Sequence, residues 1–364
     1  MIRLLFMPLL QIPSGHHHVA DSIKNQLEYS TEISEEFHYD KLEILSHCFG
    51  KLEAFISSIY LQSIHKAPNI YSQLYKYVVV KESKSKNYQL YDRLFLKKML
   101  HVLKERDPHL VICTHALPSY LLSRLKDKQK WSGIVVNVYT DYFVNDLWGI
   151  QHIDYHFVPS IHIKQELMER GIPENSIFVT GIPVHPIFKQ PSEKQKKNEK
   201  LTVLISGGNM GAGSIEKLLH SLQPSGAITY YVLCGKNQVL YRKIRHLHHP
   251  EVKAIPYLSS KEEMNQLYDS ADAIITKPGG VTITECLWKR LPIFVYEALP
   301  GQEEFNLHYL KSQGLVFHLT DWNSSTNIED QLVSKLREDN NRLDFFHNSI
   351  EKKDIANLID GMIT

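Results

Sequence analysis

No C-x-x-C pair, no D-x-D triplet and no strong charge imbalance occur in the sequence, and each absence closes a class of function. Cys48, Cys113, Cys234 and Cys286 lie far apart, which argues against a zinc site or a disulfide framework and favours a reducing, cytoplasmic setting. Without an Asp-x-Asp pair there is no obvious carboxylate set to hold a diphosphate through a metal ion. Leaving-group charge would then have to be met by helix N-termini and fixed hydrogen-bond donors. Lys plus Arg total 41 against 40 Asp plus Glu, so the chain as a whole is no bulk nucleic-acid binder and any electrostatic function is local. No apolar run approaches the roughly 20 residues that cross a bilayer. The opening MIRLLFMPLLQIP is apolar but short and carries no small-residue cleavage signal, so it reads as a first core strand and not as a signal peptide.

What is present is enough apolar material for two domains: 364 residues, 43% of them hydrophobic. Short β-rich runs alternate with helical patterns. Strands are expected at Ile2 to Leu10, Leu110 to Thr114, Gly133 to Tyr139 and Tyr155 to Pro159, with helices from about Val19 and over Ile161 to Arg170. A polar break, PSEKQKKNEK at 191–200, reads as a linker. A second set follows, with strands at Leu201 to Ser206, Thr229 to Cys234, Val252 to Ile255, Ala273 to Thr276 and Pro292 to Tyr296. The pattern predicts two doubly wound α/β domains, 1–190 and 201–364, facing a cleft, the last helix returning to the first domain. Ligands of such sheets bind beyond the carboxyl ends of the strands, so the loops there are where chemistry is sought.

The loop after the first strand of the second domain, SGGNMGAGS, brings Gly208 and Gly211 to the start of a helical pattern, where backbone N–H groups can approach an anion. A glycine-rich turn with no ligand is the alternative. ITKPGGVTITE is more informative: Pro278, Gly279 and Gly280 break a strand and open a helix on exposed backbone, a place for a diphosphate. Glu285 falls in the first turns of that helix, suited to accept from two ribose hydroxyls, unless it only answers the helix dipole. Gln302, Glu303 and Asn306 follow the next strand in PGQEEFN, with amide and carboxylate groups suited to hexose hydroxyls. Singly these residues favour the structural reading; at two successive strand ends they favour a sugar-nucleotide site.

ITKPGGVTITE followed by PGQEEFN resembles the donor motif of glycosyltransferase family 28, most closely the branch of processive diacylglycerol glucosyltransferases and monogalactosyldiacylglycerol synthases. FVPSIHIKQELMERGIPENSIFVTGIPVHPIF and YVLCGKN extend the likeness over most of the chain. The resemblance implies a GT-B fold and an inverting transfer of hexose from a UDP-sugar, with no cofactor. It assigns the diphosphate to Gly279 and Gly280, the ribose to Glu285, the hexose to Gln302 with Asn306 supporting, and uracil to the position of Leu258. SGHHHVADSI resembles the family's Gly-His turn through Gly15, His16 and Ala20. Histidine suits proton transfer from an attacking hydroxyl because its unperturbed pKa is near 6.5. Asp141, in VYTDYF, is the reserve base, and Gln11 stands near the place where the galactolipid synthases carry an acidic residue. Consecutive His16, His17 and His18 cannot face one point on a helix, so no metal site is assigned.

Between Tyr71 and Lys104 basic residues, among them Lys81, Lys84 and Lys86, are interleaved with Tyr75, Tyr77, Tyr88 and Tyr91. That mixture suits an anionic lipid surface, hence peripheral contact with the inner face of the cell membrane; a solvated helix face is the alternative. The expected partners are a UDP-sugar and a lipid or other hydrophobic hydroxyl acceptor, and no nucleic acid. A UDP-sugar 2-epimerase and a non-catalytic UDP-sugar sensor are the rival functions.

Overall fold

Parallel strands bury both faces, so their sequences run apolar without alternation, and the two innermost runs of this chain, LVIC and AIIT, are buried at every residue. The computed structural model describes residues 1–8, 15–30, 36–43, 89–190, 200–208, 214–299, 301–320, 322, 327–336 and 342–363. These divide into two compact units, Met1–Val184 with Ser349–Thr364, and His185–Asn348.

The first unit contains β1 (Ile2–Met7), α1 (Gly15–Tyr29), β2 (Phe37–Lys41), α2 (Gln89–Arg106), β3 (Leu110–Cys113), α3 (Ala116–Asp127), β4 (Ile134–Val138), β5 (Tyr155–Val158), α4 (Ile161–Glu169) and β6 (Ile177–Val179). Its sheet is wholly parallel in the order β2-β1-β3-β4-β5-β6. Helix α1 starts at Gly15, four residues before the expected Val19, because the glycine and three histidines are already helical while Val19 is the first residue buried in the core. Helix α2 buries Phe95, Met99 and Val102 and leaves Lys97 and Lys104 outside. The lysines at 76, 81, 84 and 86 and the tyrosines beside them lie outside the described residues, as does the 191–199 stretch of the expected linker.

The second unit contains β7 (Leu201–Ser206), α5 (Ile215–Ser221), β8 (Ile228–Leu233), α6 (Gln238–Leu247), β9 (Val252–Ile255), α7 (Lys261–Ser270), β10 (Ala273–Thr276), α8 (Gly280–Trp288), β11 (Ile293–Val295), α9 (Gln302–Ser312), β12 (Phe317–His318), α10 (Ile328–Leu336) and α11 (Arg342–Ser349). Its parallel sheet has the order β12-β11-β10-β7-β8-β9, the doubly wound arrangement with a reversal between β7 and β10. The unit begins at His185, before the expected linker, because the short 3₁₀ turn Pro186–Lys189 packs on α7 and α8: Phe188 is fully buried with its ring 5.6 Å from that of Tyr268.

The final helix, α12 (Ile355–Ile363), buries Ile355, Leu358, Ile359 and Met362 and packs on α1 in the first unit. Glu351 N–H donates to Val179 O at 2.7 Å, tying the returning chain to β6. Among the described residues no helix is long and apolar enough to cross a membrane, and no group of histidines, cysteines and carboxylates could hold a metal ion.

Candidate functional site

Each sheet reverses its winding direction at one pair of strands, and His16, Gly208, Gly279 and Gly280 follow those strands, while Asp141, Leu258, Gln302, Glu303 and Asn306 follow other strands of the two sheets. In the first unit the reversal lies between β1 and β3. There α1 brings His16 against His115, which caps α3 after β3; the two rings meet edge to face with centroids 4.8 Å apart. The next strand end supplies Thr140 and Asp141. Thr140 Oγ1 lies 3.0 Å from His16 Nδ1 and 3.4 Å from Asp141 Oδ2. A carboxylate can only accept, so the Thr140 hydroxyl is the donor to Asp141, and the Thr114 backbone is a further acceptor for the His16 ring. Burial is the main cause that lowers the His16 pKa below its ordinary value; Asp141 and the Thr114 backbone oppose it, and His17 adds to it. Burial, reinforced by His16, also holds His115 well below its ordinary range. Its Nδ1 accepts from Leu117 N–H at 3.1 Å, which places the proton of the neutral ring on Nε2. His17 turns elsewhere, 3.6 Å from Glu43. Consecutive helical residues point in directions about 100° apart, so His16 and His17 meet different partners. Gly15 is exposed at the helix start, and Gln11 lies outside the described residues.

In the second unit the reversal lies between β7 and β10. Helix α8 starts there with no side chain capping it, Gly279 being its N-cap, so the first N–H groups of the helix have no intrahelical acceptor. A Cβ placed on Gly279 would meet nothing within 4 Å, which leaves the backbone open to an approaching anion. Gly208 has φ +76°, a conformation that favours glycine, and likewise faces open space; Gly211 lies outside the described residues. Ser214, where the glycine-rich segment enters α5, donates through N–H and Oγ to the Glu297 carboxylate at 3.0 and 2.9 Å, so the loops after β7 and β11 are held together.

Glu285 is 7% exposed and accepts from the Tyr268 hydroxyl at 3.0 Å, while Lys261 Nζ lies 4.0 Å from its other oxygen. Burial raises the Glu285 pKa, against the opposing pull of Lys261 and Tyr268. Lys261 opens α7, three residues after Leu258, so the loop holding Leu258 leads directly to the Glu285 carboxylate. Asn306 is buried and donates to the Pro278 carbonyl at 3.0 Å, joining α9 to the turn that starts α8. Glu303 accepts from Leu299 N–H at 2.7 Å and Glu304 from Gly301 N–H at 3.2 Å, so two carboxylates shape the loop that presents Gln302. Gly301, with φ +98°, makes the turn possible. Gln302 itself is half-buried at the first position of α9.

Thr140, His115, Tyr268 and Lys261 were not singled out by the sequence. His115 and Thr140 directly follow the expected strands, and a polar residue at a strand end is the signal that points to them; Tyr268 sits mid-helix and gives none.

The Monogalactosyldiacylglycerol (MGDG) synthase family matches residues 16–184, and the Glycosyltransferase family 28 C-terminal domain matches residues 202–359. The chain is 48% identical to the uncharacterized glycosyltransferase YkoN of Bacillus subtilis (strain 168), over 88% of its own length and 85% of YkoN. It is 26% identical to the processive diacylglycerol beta-glucosyltransferase of Bacillus pumilus (strain SAFR-032), over 83% of this chain and 79% of that one. The crystal structure of Acinetobacter baumannii MurG superposes with a TM-score of 0.61 at 14% identity, covering 99% of both chains, a likeness of fold. With two wholly parallel six-stranded α/β sheets and these relatives, the chain has the GT-B fold and belongs to glycosyltransferase family 28, enzymes that transfer sugar from a nucleotide-sugar donor.

Proposed function

We propose that this enzyme moves a hexose from a UDP-sugar to the hydroxyl of a diacylglycerol-like lipid, with inversion at the anomeric carbon. The second unit holds the donor. Its uncapped α8 N-terminus and the Gly279–Gly280 backbone receive the diphosphate, Glu285 accepts from the ribose hydroxyls, and Gln302, with Glu303 and Asn306 shaping its loop, meets the hexose. The first unit handles the acceptor, with His16 as the base and Asp141 acting on it through Thr140. The observation that carries this reading is the buried Glu285 carboxylate, steadied by Tyr268 at 3.0 Å on the helix whose N-terminus stands open. A carboxylate placed there recognises vicinal hydroxyls next to a phosphate. The lipid acceptor is supported by the MGDG synthase match over residues 16–184 and by the printed activity of the Bacillus pumilus relative.

The test is release of UDP from a panel of UDP-hexoses, with and without vesicles containing diacylglycerol. Release that depends on both one sugar and diacylglycerol, with a glycolipid product of β configuration, is the expected result. Turnover with a soluble acceptor and none with diacylglycerol would remove the lipid from the proposal. An epimerised UDP-sugar formed without any acceptor would replace transfer altogether.

A further inference from the structure

Strand β4 reads IVVNV, and its one polar residue, Asn137, is 0% exposed between two buried valines. An amide enclosed there costs stability unless its polar atoms are met. Its Nδ2 donates to the Gly149 carbonyl at 3.1 Å and to the Tyr139 hydroxyl at 3.4 Å. That hydroxyl lies 3.0 Å from Nδ1 of His156, the residue paired with Asn137 on β5. Burial raises the Tyr139 pKa above its ordinary value and lowers that of His156 to about 4, so both are uncharged at neutral pH. Asn137 Oδ1 and His156 Nε2 are enclosed with no hydrogen-bond partner among the described residues. A buried network that leaves two atoms unmet is not what stability alone selects, and its use lies in the positions it fixes.

Those positions belong to the loop between β4 and β5. Residues 139–154 form neither helix nor strand, so no regular backbone ladder sets their course. At the front of the loop Tyr139 N–H donates to Phe157 O at 3.1 Å, and the Tyr139 ring packs on Trp148 with centroids 4.6 Å apart. Thr140 and Asp141 come next. Further on, the Gly149 carbonyl accepts from Asn137 and from Ser119 Oγ, each at 3.1 Å, and Gly149 N–H donates to the same Ser119 oxygen at 3.1 Å. Ser123 Oγ donates to the Gln151 carbonyl. A Cβ on Gly149 would lie 2.4 Å from the Ser119 carbonyl oxygen, so glycine is what lets the loop come this close to α3. Asn137 hydrogen-bonds to both places, Tyr139 and Gly149. Val144 and Ile150 also enter the core, but apolar contact has no direction, and hydrogen bonds do.

We propose that Asn137 is a positioning residue for the transfer: by tying Tyr139 to Gly149 it fixes the loop whose first residues, Thr140 and Asp141, stand against His16. This rests on the reading of His16 as the base, paired with Asp141, and adds to it the residue through which the buried sheet sets that pair. Asn137 touches no substrate and acts through the loop. The Thr140 hydroxyl reaches Asp141 at 3.4 Å, near the limit of a hydrogen bond, so a loop displaced by an ångström loses that contact. Proton transfer requires aligned groups, and such a shift slows the chemical step while the donor-binding groups of the second unit stay as they are.

The test is kcat for UDP release from the UDP-hexose panel with diacylglycerol vesicles, taken across pH for the wild type, Asn137→Ala, Asp141→Asn and the double variant. Calorimetric UDP affinity and thermal unfolding accompany each. Asn137→Ala is expected to lower kcat about tenfold to a hundredfold, the range for a displaced catalytic group, with UDP affinity within about twofold. Of the groups that face His16, namely Asp141, His17, His115 and the Thr114 backbone, Asp141 is the carboxylate that raises its pKa. With Asp141 displaced the acid limb of the rate is therefore expected to move to lower pH, as in Asp141→Asn. The double variant is expected to stay within about twofold of Asp141→Asn, because Asn137 acts through that residue. A folded Asn137→Ala with wild-type kcat overturns the proposal. So does a loss that leaves the acid limb in place and multiplies with that of Asp141→Asn, the mark of a merely structural role. Where Asn137→Ala does not fold, Ser119→Ala, which frees the same Gly149 from α3, decides by the same readings. Asp141→Asn with wild-type kcat and limb is a different result: it removes the pairing of Asp141 with the base, and the proposal with it.

Discussion

The two sheet reversals of this enzyme are built from different chemistry. In the first unit the strand ends bring together titratable side chains, His16 and Asp141 through Thr140, and His115 through its ring contact with His16. In the second they present backbone and one buried carboxylate, with glycines where side chains would close the approach. The same architecture thus offers a place suited to move a proton and a place suited to hold a charged, hydroxyl-rich ligand. The difference lies in what occupies the first turn of the helix after the strand: a histidine in α1, a bare glycine in α8. A histidine there can take up and release a proton, whereas bare N–H groups can only bind.

Substitution of His16 tests the first half of that contrast and carries the largest expected effect. His16→Ala is expected to lower kcat about a hundredfold or more, the range for loss of a general base, with UDP affinity unchanged. Burial lowers the pKa of His16, so the wild type keeps its base neutral at physiological pH. Its activity should fall only as the pH drops through that lowered value, on the acid side of 6.5. Asp141, His17, His115 and the Thr114 backbone are the groups that set where this limb lies. Steady-state rates across pH check both points; a variant that keeps wild-type turnover moves the base to Asp141.

Glu285→Ala tests the second half. Losing a charge-assisted acceptor for ribose should weaken UDP and UDP-sugar by the same amount, about 1.5 to 3 kcal/mol. Calorimetry with both ligands measures it, and unchanged affinity for UDP in a folded variant would take Glu285 out of the site. If the contrast between the units holds, this variant should lose binding and keep its pH profile, the reverse of His16→Ala.

The smallest effect belongs to Gln302→Ala. A half-buried amide at the start of α9 is proposed to meet the sugar and not the nucleotide. The variant should therefore bind UDP as the wild type does and discriminate less among UDP-hexoses, by about the 0.5 to 1.5 kcal/mol of a neutral hydrogen bond. Competition of several UDP-hexoses against UDP reads this directly; parallel losses for UDP and UDP-sugar would show that Gln302 supports the whole loop.

Much of the fold was legible because central parallel strands declare themselves. LVIC, AIIT and LTVLIS are apolar but for threonine and serine, are followed by threonine, lysine and glycine respectively, and the structure places a strand on each. Edge strands do not declare themselves. Strand β2, FHYDK, has no fully buried residue, and β12 is two half-buried residues, so neither produces a run to read. The second unit's glycine and proline signals were also legible, since a turn that exposes backbone is coded by the residues in the turn.

What the sequence by itself determined is therefore local: which stretches form buried strands, where glycines open the backbone, and which polar residues follow strand ends. Partners across long separations were decided only by the tertiary structure. Thr140 reaches His16 from 124 positions away, and Tyr268 reaches Glu285 from a neighbouring helix. Hydrogen bonding and burial depend on what the folded chain brings within a few ångströms of a side chain, and residue type and spacing do not specify that.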